Sequence, residues 1–226
     1  LHTEADNRMF PVSNDSQTII DCLTREAECT GVEVRMQCPV KKLERMEGHW
    51  LVNDESFDSV IVATGGSPTS KGFDWLRMLG HEIAEPVPSL FTFNMPNEPI
   101  IELMGVVVPN AIARIQGTKL TEQGPILITH WGMSGPGILK LSAWGARELA
   151  QREYMFTVQV NWVGAPTEQA VQASIDEALV EIRKKKLTNY CPFELPRKFW
   201  EYLLLRAGCD PHRTWSDLNK KDRNRL

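Results

Sequence analysis

Ala63, Thr64, Gly65 and Gly66 follow the run Val60-Ile61-Val62, and these residue types in this order suit the binding of a phosphate or a ribose. A continuous β-branched run reads as a strand buried on both faces. Two glycines after it permit a close approach of backbone to ligand, or a positive φ. In open α/β sheets, ligands sit just beyond the carboxyl ends of the strands. The competing reading is a sharp turn after a core strand.

A second stretch, His130 to Gly137, combines a histidine, Ser134 and three glycines. A serine nucleophile on a strand-to-helix elbow needs glycine two residues after the serine, and position 136 is proline. No acid partner for His130 is identifiable. Ser134 or Gly135 is instead expected to start a helix over about 136–150, with Pro136 in its first turn. The free N–H groups of such a helix start can face an anion or a polar substrate group. His130, Ser134 and Gly135 are therefore candidates for contact with substrate.

The elements around Val60–Gly66 are consistent with a nucleotide site. Asn14 is a candidate N-cap, with Gln17 at the third helical position. Ile19, Ile20, Leu23 and Ala27 recur at helical spacing, and Gly31 stands where a left-handed residue closes a helix. Residues 32–36 alternate as a strand does. Residues 40–53 resemble a charged hairpin or meander, with a turn near Glu47-Gly48. A second strand is expected over 57–63, in the same sheet as 32–36. This order matches the second half of a dinucleotide-binding domain. No G-x-G-x-x-G follows a strand, and the chain is read as an internal piece of a longer enzyme.

Four segments resemble one family, the bacterial FAD-dependent oxidoreductases known as "NAD(FAD)-utilizing dehydrogenases", which carry a large insert domain. They are Arg8-Met9-Phe10-Pro11-Val12-Ser13-Asn14, Ala63-Thr64-Gly65-Gly66, Leu79-Gly80-His81-Glu82-Ile83 with Pro86, Pro88, Ser89 and Leu90 behind it, and Ile128-Thr129-His130-Trp131-Gly132-Met133-Ser134-Gly135-Pro136. They run in the family's order over about 3–142. The stretch Ser67 to Asp74 is shorter than the family's pattern, and Asn7 replaces its glycine before Arg8.

The resemblance implies a parent flavoprotein with non-covalent FAD, with NADH or NADPH as a further expected electron donor. It implies adenine contact near Val40, adenosine and pyrophosphate contact at Ala63, Thr64, Gly65 and Gly66, and proximity of Arg8, Phe10 and Pro11 to the flavin ring. The substrate is a small molecule that the resemblance leaves unnamed. The chain alone is expected to bind no FAD and to be inactive, because the turn that cradles the pyrophosphate is missing from it.

The expected fold class is α+β. Residues 1–88 would be the central part of an FAD-binding domain. Residues 89–226 would be an insert, with a small antiparallel sheet or barrel over about 89–160 and helices over about 161–226. The stiff segment Glu85-Pro86-Val87-Pro88 marks the boundary. Strand-like runs follow at 90–95, 105–108, 111–116, 126–129 and 155–160. Val171, Ile175, Ala178, Leu179 and Ile182 then form a helical stripe after Pro166-Thr167. Phe199, Trp200, Leu203, Leu204 and Ala207 form another, closed by Gly208. Trp215 and Leu218 suggest a third, short helix.

Bulk properties suit a cytoplasmic enzyme. The 226 residues are 42% hydrophobic and carry a formal charge of −4. That charge argues against a general nucleic-acid surface, so nucleic acid is not expected as a partner. No apolar run reaches the length of a membrane span. Five cysteines without a C-x-x-C pattern suit a reducing compartment better than a zinc site. Lys184-Lys185-Lys186 reads as a dipole-matched helix end, and the tail 220–225 as a frayed, solvated end. An exposed strand edge would allow a homodimer. The rival to the enzyme reading is a non-catalytic module that binds protein or RNA, supported by the lysine run and the basic tail.

Overall fold

The computed structural model describes residues 1–4, 7–67, 69–165, 167–223 and 225–226. The chain divides into two units, Leu1–Ala84 and Glu85–Leu226.

The first unit begins with a two-residue antiparallel ribbon, β1 (His2–Thr3) and β2 (Met9–Phe10). Helix α1 (Ser16–Cys29) follows. Its N-cap is Asp15, whose carboxylate accepts the N–H of Gln17 at 2.9 Å, rather than Asn14, which adopts a φ of 53°. At the other end Val32 N–H donates to Ala27 C=O and Gly31 N–H to Glu28 C=O, the bonding of a glycine-closed terminus. Three short strands then form an antiparallel meander: β3 (Leu43–Arg45), β4 (Trp50–Val52) and β5 (Glu55–Phe57). Its first turn holds Glu47 and Gly48, and Met46 N–H donates to His49 C=O across it. Helix α2 (Asp74–Met78) ends at Gly80, where His81 N–H donates to Leu76 C=O.

The expected strands at 32–36 and 57–63 do not form. Only Phe57 lies in a strand, and the run beyond it is part of no sheet. Ile61 is 93% exposed. A strand is defined by its ladder, and a Val/Ile run has no strand character without neighbours to pair with and pack against. The same holds for α1, whose apolar stripe stays outside any core, with Leu23 66% exposed. Among the described residues of the first unit none is buried.

The second unit holds the core. Its sheet has five antiparallel strands in the order β10-β7-β8-β9-β6, where β6 is Phe93–Asn94, β7 Val107–Ile115, β8 Thr121–Thr129, β9 Gly132–Ser134 and β10 Val158–Asn161. The runs at 105–108 and 111–116 are one strand. The register between β7 and β8 shifts between Val108 and Ala111, at Pro109 and Asn110. Such an irregularity resets the two-residue alternation. Val108 and the series Ala111, Ala113 and Ile115 are therefore all buried on one face. Helix α3 (Pro136–Trp144) and helix α4 (Ala146–Gln151) replace the single helix expected over 136–150, with Gly145 between them. Ile138, Leu141 and Leu149 from these helices close the core against Ile126, Ile128 and Met133.

Helix α5 (Glu168–Ile182) starts at Thr167, whose hydroxyl accepts Ala170 N–H at 3.2 Å; Pro166 lies outside the described residues. Ile175 and Ile182 are buried, and Val171 and Leu179 half-buried. Helix α6 (Arg197–Arg206) joins two cores. Phe199 enters the sheet core, while Trp200 and Leu204 enter a helical core with Ile175, Leu187 and Trp215. Trp200 stacks on Trp215 at 6.1 Å and donates its indole N–H to Leu187 C=O at 2.7 Å. The basic tail is not frayed. It forms helix α7 (Lys220–Arg223), with Arg223 paired to Asp176 and Asp222 to Arg213.

Candidate functional site

Val40 and Val60 to Thr64 line one cleft of about 240 Å³ with Trp75. Val62 to Ser67 line a second of about 360 Å³ with Phe73 and Trp75. The structure thus brings Val40 to the same wall as Ala63 and Thr64. Gly65 has a φ of 75°, and no atom lies within 4 Å of where a side chain at Gly65 or Gly66 would begin. A backbone with so few side chains is open to close approach by a ligand. Arg8, Phe10 and Pro11 line neither cleft. Phe10 pairs with His2 across the ribbon, and the Arg8 guanidinium lies 5.5 Å from the Phe10 ring centre.

His130 occupies the exposed turn between β8 and β9, with its ring 3.9 Å from that of Trp131. Ser134 belongs to β9 and pairs with Leu127. No hydrogen bond joins His130 to Ser134 among the described residues, and the two stand on different segments, the turn and β9. Gly135 is the N-cap of α3 at a φ of 93°. A side chain there would meet Pro125 C=O at 2.7 Å and Leu127 N at 2.9 Å. One at Gly132 would strike the backbone of Phe93 and Met95. Both glycines are required for β9 to fit between β8 and β6 and for α3 to start against the sheet.

The helical part of the second unit has a different charge from the rest. Residues 167–226 contain twelve Lys and Arg against nine Asp and Glu, a net +3 in a chain of −4. Arg183, Lys184, Lys185 and Lys186 follow α5 and are exposed. Backbone bonds tie this turn to 213–216: Leu187 N–H donates to Arg213 C=O, Trp215 N–H to Lys185 C=O and Ser216 N–H to Arg183 C=O. Among the described residues Arg183, Lys184 and Lys186 have no ion pair, and Lys185 lies over the Tyr190 ring at 4.9 Å. The turn is fixed by Asp217, which accepts both the hydroxyl and the N–H of Thr214 and is held below the usual carboxylate range by these bonds. Two joined turns between helices therefore present cations from a rigid backbone.

A third feature was missed by sequence reasoning. A cleft of about 530 Å³ opens between the two edge strands of the sheet, lined by Phe93 and Asn94 of β6, by Val158 of β10 and by Phe91, Tyr154 and Phe156. Nothing local in the sequence brings positions 91–94 to 154–158. The aromatic spacing Phe91-x-Phe93 and Tyr154-x-Phe156 was the available signal. Among the described residues no group of three or more His, Cys, Asp or Glu could hold a metal ion, and no helix is long and apolar enough to cross a membrane.

Residues 87–226 match the family described as "HI0933-like protein barrel and H2TH domain". The chain belongs to this family. Over 228 aligned residues it is 24% identical to a ribosomal RNA dihydrouridine synthase of Escherichia coli K12, covering 94% of this chain and 53% of that protein. A ribosomal RNA dihydrouridine synthase of Haemophilus influenzae is 27% identical over 143 residues, 56% of this chain and 35% of that protein. The chain thus spans about half the length, or less, of these relatives. The relatives are named for work on ribosomal RNA, and this overturns the expectation that nucleic acid is not a partner. The net charge of −4 was a poor guide because it averages an acidic part with the cationic helical part.

Proposed function

We propose that this chain is the central stretch of a flavin-dependent enzyme that reduces uridine in ribosomal RNA. The observation that carries the reading is the likeness of 94% of the chain to a protein named ribosomal RNA dihydrouridine synthase. Forming dihydrouridine saturates the C5–C6 bond of uracil with a hydride and a proton. When bound, FAD would supply the hydride, with NADH or NADPH as the source of electrons.

The residues present fit one wall of such a cofactor. Ala63, Thr64, Gly65 and Gly66 would lie along its adenosine and pyrophosphate, and the backbone near Val40 along its adenine. Arg8, Phe10 and Pro11 would lie towards its ring. His130, Ser134 and Gly135 remain candidates for contact with substrate, through the exposed turn and the start of α3. The cations at 183–186 would hold RNA phosphates, whose binding dominates affinity for nucleic acid.

The test uses the full-length parent protein and unmodified ribosomal RNA. Flavin absorbance in the purified protein and dihydrouridine in RNA treated with it under NADPH or NADH are expected. A colourless protein that leaves uridine unchanged would overturn the reading. A colourless protein that binds the RNA in a salt-sensitive way would favour the rival, an RNA-interaction module, which the cationic double turn also suits.

A further inference from the structure

We propose that the cleft between the sheet's two edge strands is a slot for an unstacked pyrimidine base of RNA; this rests on the RNA reading above and names where a base would go. Strands β6 and β10 stand at opposite ends of the strand order yet line one cleft, so the sheet curls until its edges flank a common opening. Edge strands carry backbone donors and acceptors outside the ladder. Two aromatic pairs line the opening edge to face: Phe91 with Tyr154 at 5.7 Å and Phe93 with Phe156 at 5.0 Å. Phe91 and Phe93, 6.0 Å apart, connect the pairs.

Flat apolar walls of this kind suit a base, because single-stranded RNA is read by stacking unstacked bases on aromatic side chains. The volume of about 530 Å³ lies within the range of small-ligand sites. The polar lining comes from Thr92, Asn94 and Thr157, which both donate and accept. Uracil presents an acceptor, donor, acceptor edge that such groups can satisfy. The one charged group of the lining is Glu98, an anion 3.6 Å from Arg206. Paired in this way it adds little net charge to the lining, which suits a neutral base. Glu153 and Tyr154 hold positive φ, at 53° and 60°, where the chain leaves α4: Glu153 N–H donates to Ala150 C=O and Tyr154 N–H to Leu149 C=O. This closed helix end sets Tyr154 in the lining of the cleft. Tyr154 remains 41% exposed there, available to a ligand.

The experiment measures binding of the full chain to a fluorescent short oligouridine and to an abasic ribose-phosphate strand of the same length. Oligouridine is expected to bind more tightly. Tyr154→Ala should weaken it about tenfold and leave the abasic strand unchanged, whereas Tyr154→Phe should keep the affinity. Equal binding of the two strands, or an equal loss on both in Tyr154→Ala, would overturn the slot and leave the RNA reading standing. Failure of the chain to bind either strand would overturn both.

Discussion

The hydroxyl of Ser142 accepts the backbone N–H of Phe91 at 2.9 Å and donates to Leu139 C=O at 2.8 Å. Ser142 is completely buried in α3. One hydroxyl thus anchors the strand-like segment before β6 to the helix beneath the sheet, and with it one aromatic wall of the cleft. Ser142→Ala leaves the Phe91 N–H without this acceptor. An unsatisfied buried donor costs about 1–3 kcal/mol. Urea denaturation should show a fall in midpoint of that size with an unchanged slope. A variant as stable as the parent would mean that Phe91 N–H has another acceptor.

The thiols should fall into two classes. Cys22, Cys29 and Cys38 are exposed, Cys209 is buried and Cys191 half-buried. Burial pushes the thiols of Cys191 and Cys209 up from the ordinary value. Reactivity requires the thiolate. With an aromatic disulfide reagent at neutral pH, three thiols should react fast, and Cys209 only on unfolding. The pH dependence follows from the same direction. A folded pKa above the unfolded one means that the stability tied to the group is fully present below about pH 8.5. It is lost as pH rises through the folded value. Midpoints measured from pH 7 upward should therefore fall in the alkaline range, and Cys209→Ala should flatten that fall.

What could be read from the sequence depended on whether the signal was local. Helix α1 is defined by its own caps, so its limits were legible even though Asp15 rather than Asn14 supplies the cap. The stripe of α5 and the pair Phe199-Trp200 in α6 were legible because helical spacing fixes which residues share a face. The heptad ending at Gly66 was not. Its strand character depends on neighbours that the described residues do not supply, and Ile61 lies in solvent for that reason. The cleft was not legible either, since it exists only where sheet curvature brings β6 to β10. The cationic double turn was visible as Lys184-Lys185-Lys186 but could not be joined to Arg213 without the backbone bonds between the turns.

If the double turn holds RNA phosphates as proposed, its binding has a salt signature. Each phosphate neutralised on single-stranded nucleic acid adds about 0.7 to the slope of log affinity against log salt. Lys184→Ala with Lys186→Ala should make the slope for a short RNA about 1.4 less steep. These side chains are exposed, so thermal stability should change little. An unchanged slope would place the RNA backbone elsewhere.

The two units should differ in protection. Every buried apolar residue among the described ones belongs to the second unit, from Phe93 to Leu218. Amide protection depends on buried, packed structure. Hydrogen exchange of the chain should protect β7, β8 and α3 for long times, while α1 and the 43–57 meander exchange early. The uncovered Ile19, Ile20 and Leu23 form an apolar face that favours self-association. Sedimentation at rising concentration should therefore show a dimer. Slow exchange in α1 of the monomer would mean that its apolar face is covered after all.

The proposed placement of Ala63–Gly66 along a cofactor is tested in the full-length protein by Gly65→Val. Gly65 adopts a φ of 75°, which a β-branched residue holds only under strain. No neighbouring atom limits a side chain at this position. Any loss must therefore come from the backbone conformation or from a ligand that approaches it. Gly65→Ala separates these. Alanine brings one carbon and a smaller conformational cost, so its effect on stability should be about 1 kcal/mol. If Ala63–Gly66 lies against the cofactor, the valine variant should lose stoichiometric yellow flavin on gel filtration while its far-ultraviolet spectrum is preserved. The alanine variant should retain flavin more weakly than the parent. The 226-residue chain by itself should take up no FAD in a titration, because it offers one wall where real pockets bury about 70–90% of a ligand. Micromolar binding by the chain would place the main cofactor contacts within these residues. Full flavin retention by Gly65→Val would remove Gly65 from the cofactor wall.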